Sequence, residues 1–137
     1  MGTVATGGCL CGSIRYEYHG EVGPANYCHC ADCRRCTGSA FGIGVRVESR
    51  QFRIVSGTPK GFTKTGDSGN YLTRYFCSEC GSPLYTSSPQ HLDSLYVKAG
   101  SLDDPTLVRP THQNWTNSMV AWATISQKLL GYPRGRT

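Results

Sequence analysis

Apolar and polar residues alternate over much of this chain, with the period of strands rather than helices. From Ser13 to His19, Ile14, Tyr16 and Tyr18 alternate with polar partners, the period-2 pattern of a half-buried strand. Phe41 to Val47 repeats it through Phe41, Ile43, Val45 and Val47. Phe52 to Val55, Leu72 to Phe76, Leu95 to Val97 and Met119 to Ile125 are short runs rich in β-branched or aromatic residues, which favour strands. Turn formers separate them: Gly57-Thr58-Pro59, Gly66-Asp67-Ser68-Gly69 and Asp103-Asp104-Pro105. Only Ala31 to Thr37 reads as a helix, and a short one. The expected fold is mainly β, with antiparallel sheets connected by hairpins.

No linker and no internal repeat longer than the cysteine pairs divides the 137 residues, a length that suits one domain. No apolar run approaches the roughly 20 residues that span a bilayer. Met1 to Gly8 lacks the charged start and apolar stretch of a signal peptide. No membrane partner is expected, and the cytoplasm is the expected location. The net charge is +5, from 14 Lys and Arg against 9 Asp and Glu. A nucleic-acid interface would concentrate the basic residues. Here Arg34 and Arg35 stand as a pair, Arg46, Arg50 and Arg53 are spread along a strand-like region, and Lys128, Arg134 and Arg136 fall in the tail. That spread reads as a solvated surface that draws small anions, and nucleic acid is not an expected partner.

The cysteines change the picture. They are Cys9, Cys11, Cys28, Cys30, Cys33, Cys36, Cys77 and Cys80, and they come in tight pairs. Neighbours one or two residues apart rarely satisfy disulfide geometry with each other, whereas one turn of chain can aim two thiolates at one ion. Cys9-Leu10-Cys11 precedes the first expected strand, among Gly7, Gly8 and Gly12. Cys77-Ser78-Glu79-Cys80-Gly81 follows the strand ending in Phe76 and has a zinc-knuckle pattern. Two strand ends of one sheet can meet, and these four thiolates would make the closed tetrahedral set of a structural zinc.

The middle run, Cys28-His29-Cys30-Ala31-Asp32-Cys33-Arg34-Arg35-Cys36, is too compact to place every donor around one ion. In an extended stretch Cys28 and Cys30 point the same way, and Cys33 can close from the following turn. Three ligands leave a fourth position open for chemistry. Two other readings stay open here. Cys36 or His29 could complete a purely structural site, or the run could be a redox thiol site without metal.

Four segments together carry a family resemblance. They are Gly8-Cys9-Leu10-Cys11-Gly12, Cys28-His29-Cys30-Ala31-Asp32-Cys33-Arg34, Thr37-Gly38-Ser39-Ala40-Phe41 and Phe76-Cys77-Ser78-Glu79-Cys80-Gly81. With Val97-Lys98-Ala99-Gly100-Ser101-Leu102-Asp103-Asp104-Pro105, they resemble the glutathione-dependent formaldehyde-activating (GFA) family, which shares its domain with centromere protein V. The resemblance implies one zinc domain over residues 1–137, with a core of about 7–125 and a tail of 126–137. It implies a β-tent of stacked antiparallel sheets. It also implies a structural zinc on Cys9, Cys11, Cys77 and Cys80 and a second zinc on Cys28, Cys30 and Cys33. Cys36 sits where no family ligand is expected. The implied activity is a carbon–sulfur lyase reaction, the condensation of formaldehyde with glutathione to S-hydroxymethylglutathione.

Three thiolates on zinc would carry a net charge of about −1 and could hold an incoming thiol as thiolate near neutral pH. The expected partners are therefore a small-molecule thiol, glutathione or a similar one, and a small electrophile. Arg34 and Arg35 adjoin Cys33 and are candidates for the glutathione carboxylates. His112 and Trp115 are candidates for a general acid–base and an apolar wall. Two other classes are compatible with the cysteines: a zinc-stapled binding module without catalysis, and a redox or zinc-handling protein in which Cys36 is a spare thiol.

Overall fold

The computed structural model describes residues 4–66, 69–123 and 132–134. The chain is mainly β. The strands are β1 Val4–Gly8, β2 Arg15–His19, β3 Ala25–Cys28, β4 Gly42–Glu48, β5 Phe52–Ser56, β6 Lys60–Thr65, β7 Tyr71–Phe76, β8 Pro83–Ser88, β9 His91–Lys98 and β10 Pro110–Asn114. One short helix, α1 Ala31–Thr37, lies between β3 and β4. Among the described residues no helix is long and apolar enough to cross a membrane.

The strands form two sheets, a small one in the order β1-β2-β5 and a large one in the order β10-β3-β4-β9-β8-β7-β6. The alternation in the sequence decides which faces meet. Tyr16 and Tyr18 of β2, Val45 and Val47 of β4, and Leu95 and Val97 of β9 are buried together with Ile14 and Leu84 in one core. Each side chain of this size contributes roughly 1.5–3 kcal/mol when removed from water. The tyrosine hydroxyls keep partners. Tyr16 pairs with Ser101 Oγ at 2.5 Å, and Tyr18 accepts from the Glu48 amide at 3.2 Å.

Two expectations need correction. Not every pairing is antiparallel, because β10 runs parallel to β3. After β9 the chain passes two short 3-10 turns, Ala99–Ser101 and Pro105–Leu107, and crosses β4 and β3 before it forms a strand again. Parallel neighbours require such a crossover. The strand expected over Met119 to Ile125 does not form in its described part. The Met119 amide closes a 3-10 turn onto the Thr116 carbonyl at 3.1 Å, and a further such turn covers Ala121–Ala123. Among the described residues no strand pairs with this run, and Trp122 is exposed there, so burial gives extended backbone no reward. Residues 124 and 125 of that run lie outside the described residues.

A polar tie joins the segment after β9 to the small sheet. Asp103 accepts from both terminal guanidinium nitrogens of Arg15 and from Thr6 Oγ1 at 2.6 Å. These donors hold its carboxyl down at about 2. The sign follows from linkage: a carboxylate with a depressed folded value contributes stability above the unfolded value near 4, and the contribution disappears as pH falls through 2. The pair is more than a third exposed, so its worth is about 1 kcal/mol or less. In paired urea titrations, Asp103→Asn should unfold earlier than the parent by an amount that stays constant between pH 7 and pH 5. The difference should narrow only below pH 4. A difference that already changes between pH 7 and pH 5 would remove Asp103 as its source.

Candidate metal centres

The first thiol group is built where the two sheets meet. Cys9 and Cys11 sit in the β1–β2 turn, so this pair follows a strand as well as preceding one. Cys77 and Cys80 follow β7 of the large sheet. The two pairs therefore come from different sheets, not from two strand ends of one sheet. Both turns have the same local plan. Gly12, at φ 83°, and Gly81, at φ 78°, adopt the left-handed conformation that favours glycine. Their amides return to the carbonyls of Cys9 at 3.2 Å and Cys77 at 2.7 Å. The loops then expose backbone N–H groups to sulfur, as where the Ile14 amide donates to Cys9 Sγ at 3.2 Å.

All four sulfurs lie within 4.8 Å of one another. Cys9 and Cys77 are buried, Cys80 is half-buried and Cys11 is exposed. The Ser82 hydroxyl, with the amides of Cys11 and Ser82, brings the Cys80 thiol down to about 5. At Cys9, burial pushes the thiol up. The Ile14 amide, the Ser13 hydroxyl and the neighbouring thiols outweigh it and bring Cys9 to about 7. At Cys11 the Ser13 hydroxyl and amide lower the thiol, but its hydrogen bonds with Cys9 and Cys80 and burial outweigh them and raise it.

The second group arises from a strand end and a helix start. Cys28 closes β3, and Cys30 is the N-cap of α1, with extended backbone at φ −64° and ψ 158°. Its Sγ accepts from the Cys33 amide at 3.3 Å, the usual task of an N-cap side chain. Cys33, in the first turn, then folds back beside the other two. The three sulfurs of Cys28, Cys30 and Cys33 lie within 4.8 Å of one another, and all three residues are half-buried. The hydrogen bond with Cys33 lowers the Cys28 thiol, while that bond and burial raise Cys33.

Neither extra donor joins this group among the described residues. His29 is buried with its Nε2 on Gln113 Oε1 at 2.8 Å and its ring against the edge of Phe41. Cys36 is exposed, one helical turn on, with its Sγ directed to the Cys33 carbonyl at 3.7 Å.

Beside the second group the large sheet curves around a cavity of about 290 Å³. Residues from six adjacent strands face it, which follows from register. Asn114 opposes Cys28, Cys28 opposes Gly42, Gly44 opposes Lys98, Tyr96 opposes Thr86, and Thr86 opposes Arg74. In β4 the alternation puts Ile43, Val45 and Val47 on the core side, so Gly42, Gly44 and Arg46 take the opposite side. Two of those three positions carry no side chain, and the cavity occupies their space. An ion pair between Lys64 of β6 and Asp32 of α1, at 2.5 Å, joins the far edge of the curved sheet to the helix.

The residues singled out as substrate contacts are spread apart. His112 lines the cavity with Cys28 and Cys33. Its Nδ1 pairs with Thr111 Oγ1 at 2.9 Å. Arg34 is half-buried and Arg35 exposed on α1, and neither lines the cavity. Trp115 is exposed at φ 60°, just beyond β10, and does not line it either. Arg74 and Lys98 do line it, and sequence reasoning missed them as site residues. One usable signal was present: Gly42 and Gly44 alternate with apolar residues, so the face opposite the core had to be open there.

These features define a class: a β-sheet protein with two thiol groups that could each hold a metal ion, one of four sulfurs and one of three that borders a cavity through Cys28 and Cys33. Residues 4–118 match the family described as "Glutathione-dependent formaldehyde-activating enzyme". The chain belongs to that family. It is similar to a Halomonas elongata protein named "Putative glutathione-dependent formaldehyde-activating enzyme", 26% identical over 114 residues, a stretch of 76% of this chain and 68% of the relative. Its fold is similar to the crystal structure of a Rhodobacter sphaeroides protein, with a TM-score of 0.60 and 20% identity over 80% of this chain and 99% of that one.

Proposed function

We propose that this chain is a zinc-dependent carbon–sulfur lyase that joins the thiol of glutathione, or of a similar small thiol, to formaldehyde or another small carbonyl electrophile. The observation that carries the reading is the contrast between the two thiol groups. Four sulfurs complete one set, whereas the set of three borders a cavity through Cys28 and Cys33. Thiolates are ordinary zinc donors in either group, and the spacing in the four-sulfur set fits zinc. Cys9 and Cys11 sulfurs are 3.6 Å apart, and those of Cys11 and Cys77 are 3.8 Å apart. A tetrahedral ion with bonds of about 2.3 Å to sulfur needs edges of roughly 3.8 Å.

Cys9, Cys11, Cys77 and Cys80 would hold a structural ion, and Cys28, Cys30 and Cys33 a second one. When bound, the second ion supplies a centre that favours the thiolate form of an incoming thiol near neutral pH. The chain's own part is positional. The cavity holds the carbonyl carbon against the sulfur, and proximity of this kind supplies much of a rate gain. A carbon–sulfur bond forms as the carbonyl π bond breaks, and the proton lost by the thiol ends on the new hydroxyl oxygen. His112, in the cavity wall, is the group we assign to carry that proton.

The test is metal content, followed by kinetics. Freshly purified protein should hold two zinc ions per chain. A mild chelator should remove one of them, and glutathione should slow that removal. Adduct formation should exceed the free reaction of thiol and carbonyl, and the excess should vanish with the labile zinc. Two equally inert ions, no glutathione effect and no zinc-dependent gain would overturn the reading in favour of a binding module.

A further inference from the structure

The cavity beside the three-sulfur group holds more than a small aldehyde needs. Its 290 Å³ is the share of liquid volume of roughly ten waters at about 30 Å³ each. Its charge is one-sided. Arg46, Arg74 and Lys98 line it, and no Asp or Glu does. Arg46 has a partner, Glu48 at 3.1 Å. Among the described residues, no carboxylate forms an ion pair with Arg74 or Lys98.

Arg74 is half-buried on β7. It interacts with the thiols of Cys36 and Cys33, with a hydrogen bond to Cys33, and at longer range with the Asp32 carboxylate, which is itself paired with Lys64. Its Nε is nevertheless buried with no hydrogen-bond partner, and so is Thr86 Oγ1 on the strand beside it. Buried donors without partners are costly, and the great majority find one. An arginine offers Nε and a terminal nitrogen as two parallel donors, the spacing of a carboxylate's two oxygens.

The floor leaves space for such a group. Lys98 lies opposite Gly44 in the ladder. A Cβ on Gly42 would already touch Cys33 Cβ at 3.5 Å and Sγ at 3.7 Å, and one on Gly44 would touch Tyr96 at 3.4 Å. Arg74 and Lys98 thus line the same void as Cys28 and Cys33 of the three-sulfur group.

We propose that Arg74 and Lys98 form a carboxylate clamp that selects an anionic substrate, with Gly42 and Gly44 keeping its seat clear. This rests on the reading of the three-sulfur group as a thiol-addition site. The carboxylate belongs either to the thiol or to the carbonyl compound, and both present the same chemistry to the clamp. Arg34 and Arg35, which adjoin Cys33 in sequence, are not part of it.

The test compares Arg74→Gln, Arg74→Lys and Lys98→Gln with the parent, each at full zinc content and with an unchanged circular dichroism spectrum. Kinetics use glutathione with formaldehyde, 2-mercaptoethanol with formaldehyde, and 2-mercaptoethanol with glyoxylate. Calorimetry follows binding of S-methylglutathione, which carries the carboxylates without a free thiol, and of glyoxylate alone. Loss of one charge-assisted pair should raise KM or Kd for the carboxylate-bearing partner at least about tenfold more than for the neutral one. Arg74→Lys should recover part of that loss. A shift confined to glutathione and its S-methyl analogue assigns the carboxylate to the thiol, and a shift confined to glyoxylate assigns it to the carbonyl. Equal behaviour of all variants in both measurements overturns the clamp. If no substrate pair reacts faster than the free reaction, the thiol-addition reading fails, while the two binding isotherms still decide the clamp.

Discussion

Cys77→Ser is expected to leave the protein unfolded or close to it at 25 °C. Cys77 is fully buried where β7 leaves the large sheet, and its sulfur lies 3.8 Å from that of Cys11, in the turn of the small sheet. An ion held by the four sulfurs would therefore join the sheets across the end of the core. A structural zinc of this kind supplies on the order of 10 kcal/mol of folding free energy, comparable with a whole domain's margin of roughly 5–15 kcal/mol. The Arg15–Asp103 ion pair is too exposed to replace it, and single hydrogen bonds such as that from the Leu10 amide to Ser82 Oγ at 3.0 Å contribute only about 1 kcal/mol each. Thermal unfolding followed by circular dichroism, with zinc content measured on the same samples, checks the expectation. A cooperative transition at the parent's midpoint, with one zinc lost, would show that the first thiol group does not carry the fold.

Cys33→Ser should do the opposite. Cys33 stands in the first turn of α1, a seven-residue helix with no buried residue. Its loss leaves two sulfurs where three converge, and serine keeps a small side chain at a position that packs little. The midpoint should move by a few degrees at most, the range of about 1 kcal/mol in a domain of this size. The gain over the free thiol–carbonyl reaction should fall at least about 100-fold, equivalent to about 2.7 kcal/mol of barrier. Rates of adduct formation, corrected for the free reaction, measure the second effect. Retention of both zinc and rate in this variant would exclude Cys33 as a ligand and point to Cys36 or His29 in its place. Taken together the two serine variants separate the roles, because one should lose the fold and the other only the chemistry.

Much of the fold was legible wherever one face of a segment is buried. The expected strands over Ser13 to His19, Phe41 to Val47 and Leu72 to Phe76 correspond to β2, β4 and β7, and the expected helix over Ala31 to Thr37 is α1. Strands without a buried face gave no pattern. β6 and β10 are exposed along their whole length. They exist because ladder hydrogen bonds on β7 and β3 accept them, a matter of available edge rather than of side-chain period. β1 contains two glycines in five residues, yet pairs fully with β2.

Local chemistry was determined by the sequence itself. Cys9 with Cys11, Cys77 with Cys80, and Cys28 with Cys30 and Cys33 are held together by short loops, and the distances along those loops leave few alternatives. Only the tertiary structure decided what stands beside each group. Folding brought the Cys9 and Cys77 pairs together from different sheets, although Cys11 and Cys77 are 66 positions apart in the chain. It also brought Arg74 and Lys98, rather than Arg34 and Arg35, to the cavity that Cys28 and Cys33 line. The reason is geometric. Arg34 and Arg35 share the short helix with Cys33 but do not face the cavity. Arg74 and Lys98 arrive through strand register and sheet curvature, which depend on every ladder between β3 and β7.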